Sequence, residues 1–231
     1  MGDPLGIGPE IVVKALADRV LRARVRFRVF GWAYAMHRAA EQAGIEPYWW
    51  RASYTSGVRR GDAGGPEIPG ACLHHDVVVL EEPRAMIEEK ALDHAPGATK
   101  AGGAASFRWV NDALACALLR PDDLRAAAAV VTAPISKGAW DLAGPPARRF
   151  QGHTELLAER CGAKRVAMLF VGPMLVVSLA TVHVPLAAVP ELLSIGRVFD
   201  TIELTHQACM ELGRTGAPGG DGGGGEGARI A

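Results

Sequence analysis

The feature that most constrains this chain is a set of short apolar runs, each ending on a polar turn, between Ala129 and Leu186. Val130-Val131-Thr132-Ala133-Pro134-Ile135-Ser136-Lys137 follows the first run, Gly152-His153-Thr154-Glu155 lies in the middle, and Thr181-Val182-His183-Val184-Pro185-Leu186 follows the last. Ala126 to Val131, Val166 to Val171 and Leu175 to Leu179 are rich in β-branched residues and too short for helices, so they read as buried strands. In open α/β sheets ligands bind outside the carboxyl ends of such strands. Lys137 and His183 follow strand ends, and His153 opens an expected helix from Thr154 to Cys161. The free N–H groups at a helix start favour an anion. The chemistry is therefore expected in this stretch.

The 231 residues suffice for a sizeable core. Lys plus Arg and Asp plus Glu number 25 each, a balance that argues against a nucleic-acid surface or an electrostatic membrane anchor. Cys72, Cys116, Cys161 and Cys209 have neither zinc-finger nor redox spacing. Cys116 and Cys209 fall in apolar helical patterns and read as buried free thiols. No stretch approaches the ~18 apolar residues of a membrane span. With no signal-peptide pattern at the N-terminus, a cytoplasmic protein is expected.

Met1 to Glu10 reads Met-Gly-Asp-Pro-Leu-Gly-Ile-Gly-Pro-Glu and leads into an amphipathic helix from about Pro9 to Arg22. It matches neither a Walker-type phosphate loop nor the dinucleotide Gly-x-Gly-x-x-Gly, so a tight turn and a ligand loop are both open. A strand over Val25–Phe30, a helix over Ala33–Ala43 and Gly44 as its cap give an α/β opening. Residues 53–70, after Trp49 and Trp50, are rich in Gly, Arg and Pro and read as an exposed loop insertion. His74 and His75 are adjacent, which in a strand places them on opposite faces and denies them a shared ligand. Asp76–Leu80 reads as a strand, Pro96–Gly103 as a turn, and Ala104–Leu119 as a helix whose Phe107, Val110, Leu114, Ala117 and Leu118 form a core face. A short helix through Trp140 to Ala143 follows. The strands Val166–Val171 and Met174–Ala180, joined through Gly172-Pro173, predict an antiparallel hairpin inside a mixed sheet. Ile195–Leu212 is a helix capped by Gly213, with His206 on its exposed side. Residues 214–227 form a glycine-rich flexible segment, and Ala228 to Ala231 reads as the opening of a further strand.

Four motifs in register, Gly2-Asp3-Pro4-Leu5-Gly6-Ile7-Gly8-Pro9-Glu10, Thr132 to Lys137, Gly152-His153-Thr154-Glu155 and Thr181 to Leu186, carry a family likeness. The chain resembles the 4-hydroxythreonine-4-phosphate dehydrogenase family of vitamin B6 biosynthesis over nearly its whole length, residues 53–70 and the glycine-rich tail apart. The resemblance implies an α/β fold of the isocitrate/isopropylmalate dehydrogenase type, a mixed sheet flanked by helices, with an incomplete C-terminal portion. Residues 1–231 would be the N-terminal two-thirds of such an enzyme.

The resemblance further implies oxidation of 4-phosphooxy-L-threonine with NAD (or NADP), followed by decarboxylation. A divalent metal (zinc, magnesium or cobalt) would be held by three histidines, in homodimers whose active site lies at the interface. By the same resemblance His153 and Thr154 match substrate-binding positions and His183 the first metal ligand. The other two metal histidines, in family segments reading Asn-Pro-His and His-Asp-Gln, would follow Ala231, and an apolar strand would precede Met1. Lys137 is a candidate for positive charge beside a carboxylate or phosphate. No catalytic or nucleotide-binding residue is assigned. A relative acting on another phosphorylated four-carbon acid, such as 4-phospho-erythronate or threonate, is the close alternative. A catalytically dead remnant that binds a small anion is the distant one.

Overall fold

A computed structural model describes residues 1–57, 65–83, 87 and 97–213. The chain forms two compact units, Met1–Cys161 and Gly162–Ala231. In the first, α1 (Gly8–Leu16) and α2 (Arg19–Arg24) precede β1 (Phe27–Phe30), α3 (Ala33–Ala43), β2 (Trp50–Ser53) and β3 (Val77–Glu81). Helices α4 (Lys100–Ala117), α5 (Lys137–Ala143) and α6 (His153–Arg160) complete it. The second unit holds β4 (Met168–Val171), β5 (Val176–Leu179), α7 (Val189–Leu192) and α8 (Ile195–Glu211).

The parallel sheet runs β1-β3-β2, with Phe27 opposite Val77 and Trp50 opposite Val78. Its middle strand explains the layers. Val77, Val78, Val79 and Leu80 are all fully buried, as expected of a continuous apolar run covered on both faces. Alternation sorts them: Val77 and Val79 pack with Val13, Leu16 and Met36 of α1 and α3. Val78 and Leu80 pack with Ala105 and Trp109 of α4. This is the α/β class expected. The helix Ala33–Ala43 and its cap Gly44, in the left-handed conformation at φ 65°, lie where the sequence places them.

Several local expectations change. The helix expected over Pro9–Arg22 is two, because the Asp18 carboxylate accepts from the N–H groups of Val20 and Leu21 and starts a new helix there. The expected turn over Pro96–Gly103 is already α4 from Lys100, since the Thr99 hydroxyl accepts from Gly102 N at 3.0 Å. Ser136 caps α5 in the same way, so that helix begins at Lys137 and not near Trp140. Ala126–Val131 forms no strand. Its backbone is irregular and Val131 is 90% exposed, since among the described residues no strand pairs with it. The predicted hairpin forms, with Met168 opposite Leu179, but as a two-stranded sheet of its own rather than within a mixed sheet. Arg165, just before that hairpin, pairs with Asp200 and Glu203 of α8.

Residues 74 and 75 are in no strand: Gly70–His74 is a 3-10 turn, and His75 stacks on Trp50 at 4.0 Å. Trp50 itself belongs to β2, an edge strand among the described residues. The segment expected as a loop at 53–70 is anchored on both sides, with Thr55 and Glu67 exchanging backbone hydrogen bonds and Tyr54 and Ser56 buried. Residues 58–64 lie outside the described residues, as do 214–227 and the strand opening expected near Ala231. Cys116 and Cys209 are buried free thiols, as read.

Gly103 faces the backbone of α5 so closely that a Cβ there would lie 1.9 Å from the Ala139 carbonyl oxygen. Gly103→Ala therefore forces α4 and α5 apart; a loss of about 1–3 kcal/mol, read as a lower urea midpoint, is expected. Asp112 is fully buried and accepts from Tyr54 Oη and Ser56 Oγ, both at 2.8 Å. Burial pushes its carboxyl up to about 6, against the pull of those two donors and with added repulsion from Glu82. The folded carboxyl thus holds its proton more tightly than the unfolded one. The stability this confers is present below about pH 4 and is lost as pH rises through about 6. Asp112→Asn removes the slope in that window, which urea midpoints measured from pH 4 to 7 will show.

Candidate functional site

The N-terminal loop, the Thr132–Lys137 segment and the Gly152–Glu155 turn meet in the first unit. Gly2 has φ 79° and lies against residues 133–134, where a Cβ would sit 2.3 Å from the Pro134 carbonyl oxygen. Asp3 N donates to that same oxygen at 2.9 Å. The Asp3 side chain is buried, accepts from Leu5 N at 3.0 Å and lies beside Gly102 in the first turn of α4, where the helix dipole favours a carboxylate. Burial raises its pKa, and the Leu5 hydrogen bond partly offsets the rise. Asp3 was legible only as part of the Gly-Asp-Pro motif and was not singled out.

Trp140 links this region to the middle motif. It is fully buried, its Nε1 donates to Ser106 Oγ at 3.0 Å, and Phe107 meets it edge-on at 5.3 Å. His153 meets the same indole edge-on at 5.9 Å. The His153 Nε2 is buried and has no hydrogen-bond partner. Its pKa is lowered, chiefly by burial, so the ring is neutral at pH 7 and offers a free nitrogen. A histidine carbon-proton resonance that is absent from His153→Gln is expected to titrate below 6.5 in an NMR pH series.

Helices α2, α4, α5 and α8 are each capped by a side chain, from Asp18, Thr99, Ser136 and Ser194. Helix α6 begins on Gly152, with no side-chain cap. Thr154 is exposed in its first turn. A Cβ at Gly152 would lie 3.9 Å from Lys137 Cε and 3.7 Å from Glu155 Oε2. Lys137 therefore stands next to the α6 start, and uncapped amides, a neutral histidine, a hydroxyl and a cation share one small region. Such a set suits a small anion that also carries hydroxyl or carboxyl groups.

The fourth motif belongs to the second unit. His183 is exposed and adopts φ 54°, a left-handed conformation uncommon outside glycine. Among the described residues no group of three or more His, Cys, Asp or Glu could hold a metal ion. Catalytic metal sites generally use about three protein ligands, so these residues do not by themselves fit a metal centre. His206 is exposed, as expected.

The fold and this region together define an α/β protein with a cluster of polar groups at a helix start. A model of the family described as pyridoxal phosphate biosynthetic protein PdxA matches residues 63–217. The chain is 38% identical over 207 residues to a 4-hydroxythreonine-4-phosphate dehydrogenase of Geobacter metallireducens, covering 90% of this chain and 54% of the relative. It is 32% identical to a D-threonate 4-phosphate dehydrogenase of Cupriavidus necator, covering 92% and 57%. The structure of a 4-hydroxythreonine-4-phosphate dehydrogenase from Klebsiella pneumoniae superposes with a TM-score of 0.65 at 27% identity, over 94% of this chain and 58% of that one. The chain belongs to the PdxA family. It spans a little over half the length of these relatives. No helix among the described residues is long and apolar enough to cross a membrane.

Proposed function

We propose that this chain supplies the substrate-binding part of a dehydrogenase that oxidises a small phosphorylated hydroxy acid, 4-phosphooxy-L-threonine, in pyridoxal phosphate biosynthesis. The observation that carries this reading is the α6 start, where unpartnered His153 Nε2, exposed Thr154 and Lys137 stand around amides that no side chain caps. In it, the amides and Lys137 bind an anionic group of the substrate, while neutral His153 exchanges a hydrogen bond with a hydroxyl or carboxyl oxygen. Trp140 keeps that imidazole from turning and keeps water from its inner face. Names of the relatives support the substrate class: every one cited acts on a hydroxy acid carrying a 4-phosphate.

The reading includes NAD or NADP as hydride acceptor, a divalent cation to which His183 contributes one imidazole, a pair of chains meeting at the site, and a cytoplasmic setting. The relative acting on D-threonate 4-phosphate favours a second reading, in which the substrate is a phosphorylated four-carbon acid without the amino group.

Calorimetric titration of the purified chain with 4-phosphooxy-L-threonine and with 4-phospho-erythronate separates the two readings by which ligand binds more tightly. His153→Ala and Lys137→Ala should each weaken the tighter ligand at least tenfold, about 1.4 kcal/mol. Unchanged affinity in both variants would remove the α6 start from the site. Formation of NADH on adding NAD and a divalent cation reports whether the chain turns substrate over or only binds it.

A further inference from the structure

Helix α6 turns one face, at helical spacing, toward the body of the first unit. His153, Leu156 and Arg160 stand at i, i+3 and i+7 of His153–Arg160 and so share that face. Each meets a different kind of partner. Leu156 is fully buried and packs with Phe107, Val110 and Leu114 of α4. His153 meets the Trp140 indole edge-on. Arg160, in the last turn, donates from Nε to Asn111 Oδ1 of α4 at 2.8 Å. Asn111 is 5% exposed, and its Nδ2 donates to the Phe107 carbonyl oxygen, one turn earlier in α4, at 2.7 Å. That bond fixes which way the amide faces, so Oδ1 is the atom presented to α6.

The three contacts differ in what they hold. An apolar side chain in a core sets the depth of a helix, but the attraction is non-directional and leaves the helix free to roll. The ring contact at His153 has no hydrogen bond to Nε2 to reinforce it. The Arg160–Asn111 bond is directional, and it acts at the far end of the same short helix, about 10 Å along its axis from His153. We infer that Asn111 is a positioning residue: through Arg160 it sets the roll and tilt of α6, and with them, taking the α6 start as the ligand site proposed above, the places from which His153 and Thr154 meet the ligand. Without this bond the helix turns about Leu156 and carries its first turn with it. A misplacement of about 1 Å costs a binding constellation up to ~100-fold; a roll that leaves Leu156 seated costs less.

The test uses the full chain with Arg160→Lys and Asn111→Leu, singly and together. Arg160→Lys keeps the positive charge but has no Nε–H in a planar fork, so a loss of affinity does not come from lost attraction to an anion. Asn111→Leu roughly keeps the volume and removes the acceptor. Two signals are read: the His153 carbon-proton resonance, which reports where the ring lies against Trp140, and the calorimetric dissociation constant for 4-phosphooxy-L-threonine. Each single variant should move that resonance and weaken the ligand roughly tenfold, and the double variant should go no further than the worse single one. An unchanged Trp49 indole signal shows that the sheet and its helices stay folded. Arg160 is exposed, so its replacement alone decides the matter if Asn111→Leu unfolds. A His153 resonance that stays in place in Arg160→Lys, or single losses that multiply in the double variant, overturns the assignment. A resonance that moves with no change in affinity upholds Asn111 as the residue that places α6, and overturns instead the reading of that helix start as the ligand site.

Discussion

Helix α4 lies against α5 at a contact only glycine permits, and the geometry of the first unit depends on it. Because Gly103 has no side chain, the Ala139 carbonyl comes up against α4, and the next residue, Trp140, drops into the space beside Phe107. Burying an indole contributes a large apolar area, and its one polar atom is satisfied by Ser106 inside the same contact. His153 therefore takes its place from the packing of a ring edge against an indole. No hydrogen bond to its buried Nε2 fixes it. A histidine held this way stays neutral, because among the described residues no carboxylate is paired with it to favour the charged ring.

The sheet imposes a second constraint. Since β3 is buried on both faces, the carboxylates that enter its flanks have to find partners. Asp112 takes two hydroxyl donors, Glu82 takes Arg108, and Glu81 takes both Arg51 and the first amide of α3. These pairs cost desolvation and return little net stability. Their effect is to pin the carboxyl edge of the sheet, so that the loops leaving β1 and β3 start from fixed points.

How far the sequence could be read follows from which signals are local. Ala33–Ala43 with Gly44, the central strand, the β4–β5 hairpin and α8 were legible because periodicity and a glycine cap lie within the segment itself. The break at Asp18 and the early starts of α4 and α5 were not, because capping by Asp18, Thr99 and Ser136 competes with apolar periodicity, and a single hydrogen bond decides the boundary. Trp50–Ser53 was missed because an edge strand with mostly exposed side chains has no apolar alternation to show. Ala126–Val131 failed in the opposite way: a strand-like composition is a statement about a partner, and none of the described residues pairs with it. In the site, His153, Thr154 and Lys137 could be singled out from their motifs. Asp3, far from them in sequence, meets the Pro134 carbonyl and the start of α4 only through the fold.

The start of α6 shows why a glycine can signal a ligand as strongly as a charged residue. An α-helix leaves its first amides without intrahelical partners; among the described residues α2, α4, α5 and α8 meet that need with the side chain of the N-cap residue, and α1, α3, α6 and α7 do not. At Gly152 no side chain is present to do so. A serine or threonine there would occupy those amides permanently. Glycine leaves them to whatever anion arrives, and the Lys137 stem beside it adds a positive charge to the same spot. The neighbouring Glu155 opposes an anion, and that repulsion has to be overcome by the amides and Lys137 together.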